Sequence, residues 1–295
     1  MSNFVTDCLD SPASRTFKIK RTIKETITKT GQLVAIHDLE GYGRTLFING
    51  ERQSSEADER AYHECLVHPA MVRSPIFSTP RVAILGGGEG AVLREVMKHD
   101  VESVLWLDYD EELCDLCYRY LPQHADRQAE YLAMPHVDFR QGDVLTFLDE
   151  QIAVQQEEDE PGQFEVVIYD MPEYDENTID LYWPKVFVKL SEIITDDGVL
   201  ALQAGPAHPT RCEALLPVIE HLHTAFEHVQ LLILAETSWV FVVASHMYPD
   251  TNELLQKELL KRDDLFWYNA GTDSLLGVVP TWLDKAIKVK MGEED

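Results

Sequence analysis

Between residues 16 and 50 apolar and polar positions alternate, or nearly so, in short runs. These are Phe17-Lys18-Ile19-Lys20, Thr22-Ile23-Lys24-Glu25-Thr26-Ile27, Gln32-Leu33-Val34-Ala35-Ile36 and Arg44-Thr45-Leu46-Phe47-Ile48. A period of two predicts strands. Gly31, Gly41 and Gly43 punctuate them, and Asn49-Gly50 is a strong tight-turn signal because both residues tolerate positive φ. Strands without intervening helices predict a small antiparallel sheet. From residue 56 to residue 73 the pattern predicts a helix, with Ser54-Ser55 as its N-cap region and acids in its first turn, where the dipole favours them.

From Pro80 onward strands and helices alternate. A strand at 82–85 leads through Gly86-Gly87-Gly88-Glu89-Gly90 to a helix at 91–99 and a strand at 103–107. Helix 111–120, strand 137–139, helix 144–153 and strand 165–169 follow, the last ending at Asp170. Helix 181–194, strand 199–203, helix 210–226 and strands 229–234 and 239–245 complete the alternation. Near-continuous apolar strands between helices predict a parallel sheet covered on both faces. Residues 155–162, Gln-Gln-Glu-Glu-Asp-Glu-Pro-Gly, read as a charged insertion, and residues 250–295 carry more helix and a Trp267-Tyr268 pair. The expected fold is a doubly wound α/β parallel sheet with a small N-terminal antiparallel β-domain. Residues 1–75 would form the β-domain and its linking helix, and residues 76–295 the larger domain with a helical extension.

Composition narrows the partners. The chain has 295 residues, 45 % of them apolar, and no run approaches the roughly 20 apolar residues of a membrane helix. Residues 1–16 lack the basic start and apolar stretch of a secretion signal, which points to the cytoplasm. The net charge of -27 repels nucleic acid and anionic membrane and attracts cations. Cys114 and Cys117 form a CxxC inside the 111–120 helical pattern, with no second pair at zinc spacing, so they read as core thiols. His221 and His223 are two apart, a spacing that one helix face cannot present as a ligand pair. No metal is expected.

The candidate chemistry lies at the carboxyl ends of the strands. The glycine turn follows an apolar strand and opens a helix, so its backbone can turn tightly and approach a ligand. Asp108 and Asp110 end the next strand, about 20 residues on, the offset at which a carboxylate reaches ribose hydroxyls. Asp143 follows the third strand and Asp170 ends the fourth. Each could equally cap a helix. The turn lacks the Lys-Ser/Thr of a phosphate loop, and Glu89 within it would repel a pyrophosphate. A positively charged nucleoside without phosphates fits better.

At these residues the chain resembles the polyamine aminopropyltransferases, the spermidine and thermospermine synthase family. The resemblance covers residues 82–111, Leu46-Phe47-Ile48-Asn49-Gly50-Glu51-Arg52-Gln53, Asp58-Glu59-Arg60-Ala61-Tyr62-His63-Glu64, and Trp267-Tyr268-Asn269 with Pro280. It implies transfer of the aminopropyl group of decarboxylated S-adenosylmethionine, a co-substrate, to an amine, with release of methylthioadenosine. It implies a Rossmann-like, class I methyltransferase-like larger domain beside the small β-domain, no tightly bound cofactor, no metal, a cationic amine substrate, and a homodimer or homotetramer. Carried over by position, Gln53 and Asp108 would hold the nucleoside and ribose, Asp143 the adenine amino group, and Gly86 and Gly88 the turn beneath them. Glu89 would meet the co-substrate's ammonium. Asp170 would bind and deprotonate the attacking amine, with Tyr62 and His63 beside it. Glu173, Glu236 and Trp239, with Tyr174, would set the depth of the amine cleft.

The chain departs from the family pattern in four places, the first being Asn49-Gly50 where Asp-Gly is usual. Asp170-Met171-Pro172-Glu173 stands where Asp-Ser-Ser-Asp is common. Glu89 replaces a frequent Asp, as in the thermospermine branch, and Ala235-Glu236-Thr237-Ser238 replaces the usual Tyr-Pro segment. The acceptor is therefore open between a putrescine-like diamine and spermidine. A methyltransferase of the same fold and a catalytically silent polyamine-binding homologue are the alternatives.

Overall fold

The alternating runs of the N-terminal segment close into a five-stranded antiparallel sheet in the computed structural model of the protein. The structure describes residues 4–7, 15–74, 79–124, 127–158, 162–174, 176–209, 212–235, 237–247 and 263–292. The five strands, β1 (Phe4–Asp7), β2 (Arg15–Ile27), β3 (Leu33–Leu39), β4 (Gly43–Ile48) and β5 (Glu51–Ser55), pair in chain order. β2 is one long strand where two were expected, because irregularities in its pairing with β3 absorb the polar Lys20-Arg21 break. Asn49 and Gly50 turn the β4–β5 hairpin with φ of 54° and 88°. β5, Glu-Arg-Gln-Ser-Ser, has no apolar residue, so no alternation announced it.

Helix α1 (Glu59–Met71) starts three residues later than its pattern suggests. Ser54 and Ser55 belong to β5, and Asp58 is the N-cap, its carboxylate accepting from Ser55 Oγ at 2.7 Å. Cys65, Leu66, Val67, Ala70 and Met71 on α1 are buried in the core of the second sheet.

That sheet has seven strands: β6 (Arg81–Gly86), β7 (Ser103–Asp108), β8 (Val137–Gln141), β9 (Phe164–Asp170), β10 (Ile194–Pro206), β11 (His228–Leu234) and β12 (Trp239–Ser245). Their order is β11-β12-β10-β9-β6-β7-β8. It is parallel except for β12, which runs antiparallel to both neighbours. Residues 235–238 alone join β11 to β12, too short a link for the crossover that a parallel pair requires.

Alternate residues of each strand face opposite ways. Ala83, Leu85, Val167, Tyr169 and Leu200 share one core with α5 (Val144–Glu158), α6 (Pro184–Ile193), α7 (Leu215–Leu222) and α9 (Thr281–Met291). Val82, Ile84, Val166, Ile168 and Ala201 share the other with α1, α2 (Ala91–Val96), α3 (Glu111–Tyr120), α4 (Gln128–Leu132) and α8 (Ala270–Leu276). Helix α5 continues to Glu158, so the start of the expected insertion at 155–162 is helical.

The small sheet docks on α3, where Val34, Ile36 and Leu46 pack against Leu113, Leu116 and Cys117. Asp110 caps α3 by accepting from Leu113 N at 3.0 Å, and it also accepts from Thr28 Oγ1 at 2.6 Å and from Thr30 Oγ1. Burial holds the Cys114 and Cys117 thiols above their ordinary value, so the CxxC is un-ionised core.

Candidate active site

Strand register places the site. Gly86 at the end of β6 lies opposite Asp170 at the end of β9. The strand order turns back between these two strands, since β7 and β8 lie beyond β6 and β10 lies beyond β9. In an open α/β sheet, ligands bind in the crevice outside the carboxyl ends at such a reversal. Gly86 has φ +88°, and a Cβ there would stand 2.2 Å from the Asp170 backbone oxygen. Gly87 N donates to that oxygen at 3.1 Å, and Trp106 Nε1 donates to Gly86 O at 2.9 Å. On the other side of the turn, a Cβ on Gly88 would lie 3.0 Å from Asp108 Oδ2. The turn is thus pinned between two aspartates.

Three carboxyls around it sit in enclosed surroundings, which disfavour the ionised form. Enclosure pushes Asp170 above its ordinary range, against the pull of His63 and of the Tyr62 hydroxyl, which donates to Oδ1 at 3.2 Å. Glu89 is pushed up to about 7 by enclosure; His63 and Ser54 pull it down, and the Asp170 and Glu59 charges push it further up. Asp108 is pushed up to about 6 by enclosure, against the Asp110 N–H that it accepts at 2.9 Å. Tyr62 is held well above its ordinary value by burial and by Asp170, so it remains a donor.

His63 is the cation among these acids. Burial alone would lower its pKa, but its hydrogen bond to Glu59 and the charges of Glu89, Glu59 and Asp170 raise it to about 9. Its Nδ1 lies 2.7 Å from Glu59 O and 3.1 Å from Glu59 Oε2. Burial likewise opposes ionisation of Glu59, yet His63 and Arg94 hold it at about 2. Arg94 bonds both Glu59 oxygens, at 3.1 and 2.8 Å.

Of the residues expected from sequence, Tyr62, His63, Gly86, Gly88, Glu89, Asp108 and Asp170 converge here. Trp239, at the start of β12, meets Tyr62 edge-on with ring centroids 5.9 Å apart. Asp143 is exposed and acts as the cap of α5, its Oδ2 accepting from Thr146 N at 2.8 Å and Thr146 Oγ1 at 2.9 Å. Gln53 is exposed on β5, where its Nε2 donates to Glu51 O at 3.4 Å. Glu173 is half-buried in the loop after β9, which Gln203 Nε2 ties down by donating to Met171 O at 2.9 Å. Glu236 lies outside the described residues.

Sequence reasoning missed Ser54, Glu59 and His124. Ser54 Oγ donates to Glu89 Oε2, and His124 Nε2 lies 2.9 Å from Ser54 Oγ and 3.2 Å from Glu89 Oε2. Only Glu59 carried a signal, since Glu and His four apart face each other on a helix. Among the described residues, no group of three or more His, Cys, Asp or Glu side chains is placed to hold a metal ion, and no helix is long and apolar enough to cross a membrane.

A Rossmann-like sheet with a glycine turn and carboxylates at its switch point places the chain among open-sheet α/β proteins, whose ligand crevice lies at that switch point. A family model for the spermine/spermidine synthase domain matches residues 59–253. A polyamine aminopropyltransferase of Hyperthermus butylicus is 35 % identical over 232 residues, covering 74 % of this chain and 69 % of that one. A thermospermine synthase of Arabidopsis thaliana is 30 % identical over 280 residues, covering 90 % and 77 %. The crystal structure of spermidine synthase from Thermotoga maritima has the same fold, with a TM-score of 0.80 at 20 % identity over 99 % of this chain and 94 % of that one. The chain belongs to the spermine/spermidine synthase family.

Proposed function

We propose that this chain is a polyamine aminopropyltransferase, which moves the aminopropyl group of decarboxylated S-adenosylmethionine to a di- or polyamine and releases 5'-methylthioadenosine. The observation that carries this reading is Asp170, an enclosed carboxylate at the switch point, hydrogen-bonded by Tyr62 and opposite the glycine turn. An alkylamine holds its extra proton near pH 10, so most of it arrives as the non-nucleophilic ammonium. Asp170 attracts that cation, orients its nitrogen and accepts the proton. Its raised pKa brings its basicity closer to that task. The nitrogen lone pair then attacks the methylene carbon bound to the sulfonium. The C–N bond forms as the C–S bond breaks, and the bonding pair leaves on a neutral thioether.

Glu89 is assigned to the ammonium of the aminopropyl arm. Ordinary S-adenosylmethionine would set a second carboxylate near it, and that repulsion selects the decarboxylated form. Asp108 and Gln53 are assigned to the ribose and nucleoside, and Asp143 to the adenine amino group through the oxygen not used in capping. Tyr62 and His63 flank the amine, and Glu173, Glu236 and Trp239 set how long an acceptor fits. Residues 1–75 serve as a closing β-domain on the catalytic domain 76–295. Assembly as a cytoplasmic homodimer or homotetramer belongs to the same reading and rests on the family.

Incubation with decarboxylated S-adenosylmethionine and a panel of diamines and triamines tests it, with methylthioadenosine as the readout. Asp170→Asn should keep nucleoside binding while turnover falls by about 100-fold or more, as loss of a general base does. Absence of product with every amine would overturn the reading; tighter binding of the carboxylated co-substrate would favour methyl transfer instead, and amine binding without turnover a catalytically silent homologue.

A further inference from the structure

Glu89 is held by two residues from outside the glycine turn. Ser54 comes from the last strand of the small sheet, and His124 from the segment after α3. Both address the same oxygen, Oε2. We propose that Ser54 and His124 form a neutral clamp that positions the Glu89 carboxylate, saturating Oε2 and presenting Oε1 to the ammonium of the co-substrate. The inference rests on the proposed role of Glu89.

The chemistry of the clamp follows from a proton count. His124 is fully buried. Burial pushes its pKa down to about 3, the positive charges of His63 and Arg94 adding to that and Glu59 opposing it. It is therefore neutral and carries one N–H. Its Nδ1 has no hydrogen-bond partner among the described residues, whereas Nε2 faces both Ser54 Oγ and Glu89 Oε2. Since the Ser54 hydroxyl proton is given to Glu89, Nε2 must be the donor. An imidazolium at this place would neutralise Glu89 and compete with the incoming ammonium. A neutral donor fixes the carboxylate and leaves its charge for the ligand.

The clamp also accounts for the longer acid. Aspartate at position 89 would be one methylene shorter, which draws its oxygens back from Ser54 on β5. Glutamate reaches Ser54, so the ammonium site is complete only when the small sheet is docked on the larger one.

Imidazole nitrogen NMR on the unmodified enzyme reads the clamp directly. His124 should show a neutral ring with Nε2–H throughout about pH 5 to 9. A protonated ring, or the Nδ1–H tautomer, would overturn the proposal, whatever the enzyme turns over. Kinetics read its consequence. His124→Phe and Ser54→Ala should each raise KM for decarboxylated S-adenosylmethionine about tenfold, the worth of one hydrogen bond to a charged group. The amine KM should hold, and kcat at saturation should change little. His124→Gln, which keeps an N–H near Nε2, should restore most of the wild-type KM. The titratable and polar groups facing Glu89 are Glu59, Tyr62 and His63 from α1, Asp170 from β9, Cys117 from α3, Ser54 from β5 and His124. Losing a donor raises the Glu89 pKa, so the acid limb of kcat/KM for the co-substrate should move to higher pH. In a Glu89→Asp background, His124→Phe should add nothing. A fall in kcat with KM unchanged, or equal losses for His124→Gln and His124→Phe, would show that His124 only fills space. If the wild type makes no methylthioadenosine while NMR finds the Nε2–H tautomer, the functional reading fails and the hydrogen-bonded clamp stands.

Discussion

Gly86 and Gly50 have the same φ, +88°, and different surroundings. A Cβ on Gly50 meets nothing within 4 Å, whereas one on Gly86 would stand 2.2 Å from a backbone oxygen of Asp170. Gly50→Ala should therefore cost only the left-handed backbone penalty, about 1 kcal/mol. Gly86→Ala must also push β6 and β9 apart at the base itself. Its cost should reach about 3 kcal/mol or more, in the range of overpacked cores, with loss of turnover. Urea midpoints of the two variants test this, and equal values would mean that the turn can relax without moving Asp170. The same scale shows what could be read in advance. Asp108, Glu89 and Asp170 were legible because each ends a strand or sits in the turn that follows one. Asp143 was legible as an acid at the right edge, but residue type cannot separate a ligand from a helix cap, and its visible bonds are those of a cap. Ser54 and His124 carried no signal, since what makes them matter is a contact across 35 and 70 positions of sequence.

At the scale of elements, α1 and α2 are locked by Glu59, His63 and Arg94, all buried. The stability this gives depends on pH from both sides. Glu59 falls from an ordinary 4.5 to about 2, so its contribution is whole above 4.5 and lost as pH falls through 2. His63 rises from 6.5 to about 9, so its contribution is whole below 6.5 and lost as pH rises through 9. The lock should be strongest between those ordinary values. Glu59→Gln should destabilise the protein by on the order of 3 kcal/mol there, with the difference fading as pH falls from 4.5 toward about 2. Denaturant unfolding of both proteins across pH checks this, and a pH-independent difference would assign the loss to packing. Most elements were legible because strands of the larger sheet, buried on both faces, read as continuous apolar runs. The exceptions have physical causes. β5 is polar throughout, and the start of α1 was misplaced because Ser54 and Ser55, good capping residues, end β5 while Asp58 is the N-cap. The reversal of β12 depends on the length of a link and leaves no mark on the strand's own composition.

On the scale of the whole molecule, 52 acids stand against 25 bases, and the proposed substrates are cations. The C-terminal segment is tied to α1 by its own acid, Glu64, which accepts the backbone N–H groups of Phe266, Trp267 and Tyr268 at 2.7 to 2.8 Å. Arg73 grips Asp273 through two bonds of 3.0 Å. These buried acids are spent on structure. A net charge of -27 also sets up a long-range field that attracts cations to the molecule. A field of this kind is screened by salt. From about 0.01 M to about 1 M ionic strength the Debye length shrinks from about 30 Å to about 3 Å. Over that range kcat/KM for the amine should fall by about tenfold or more while kcat at saturation holds, because capture is weakened and chemistry is not. The slope should steepen with ligand charge, so a triamine acceptor should lose more than a diamine at the same pH. Steady-state kinetics with both acceptors over a salt series separate this from general inhibition, which would lower kcat and treat the two amines alike. Equal slopes for the two would leave the surface acids a role in solubility alone and place all recognition of the amine within the enclosed carboxylates of the cleft.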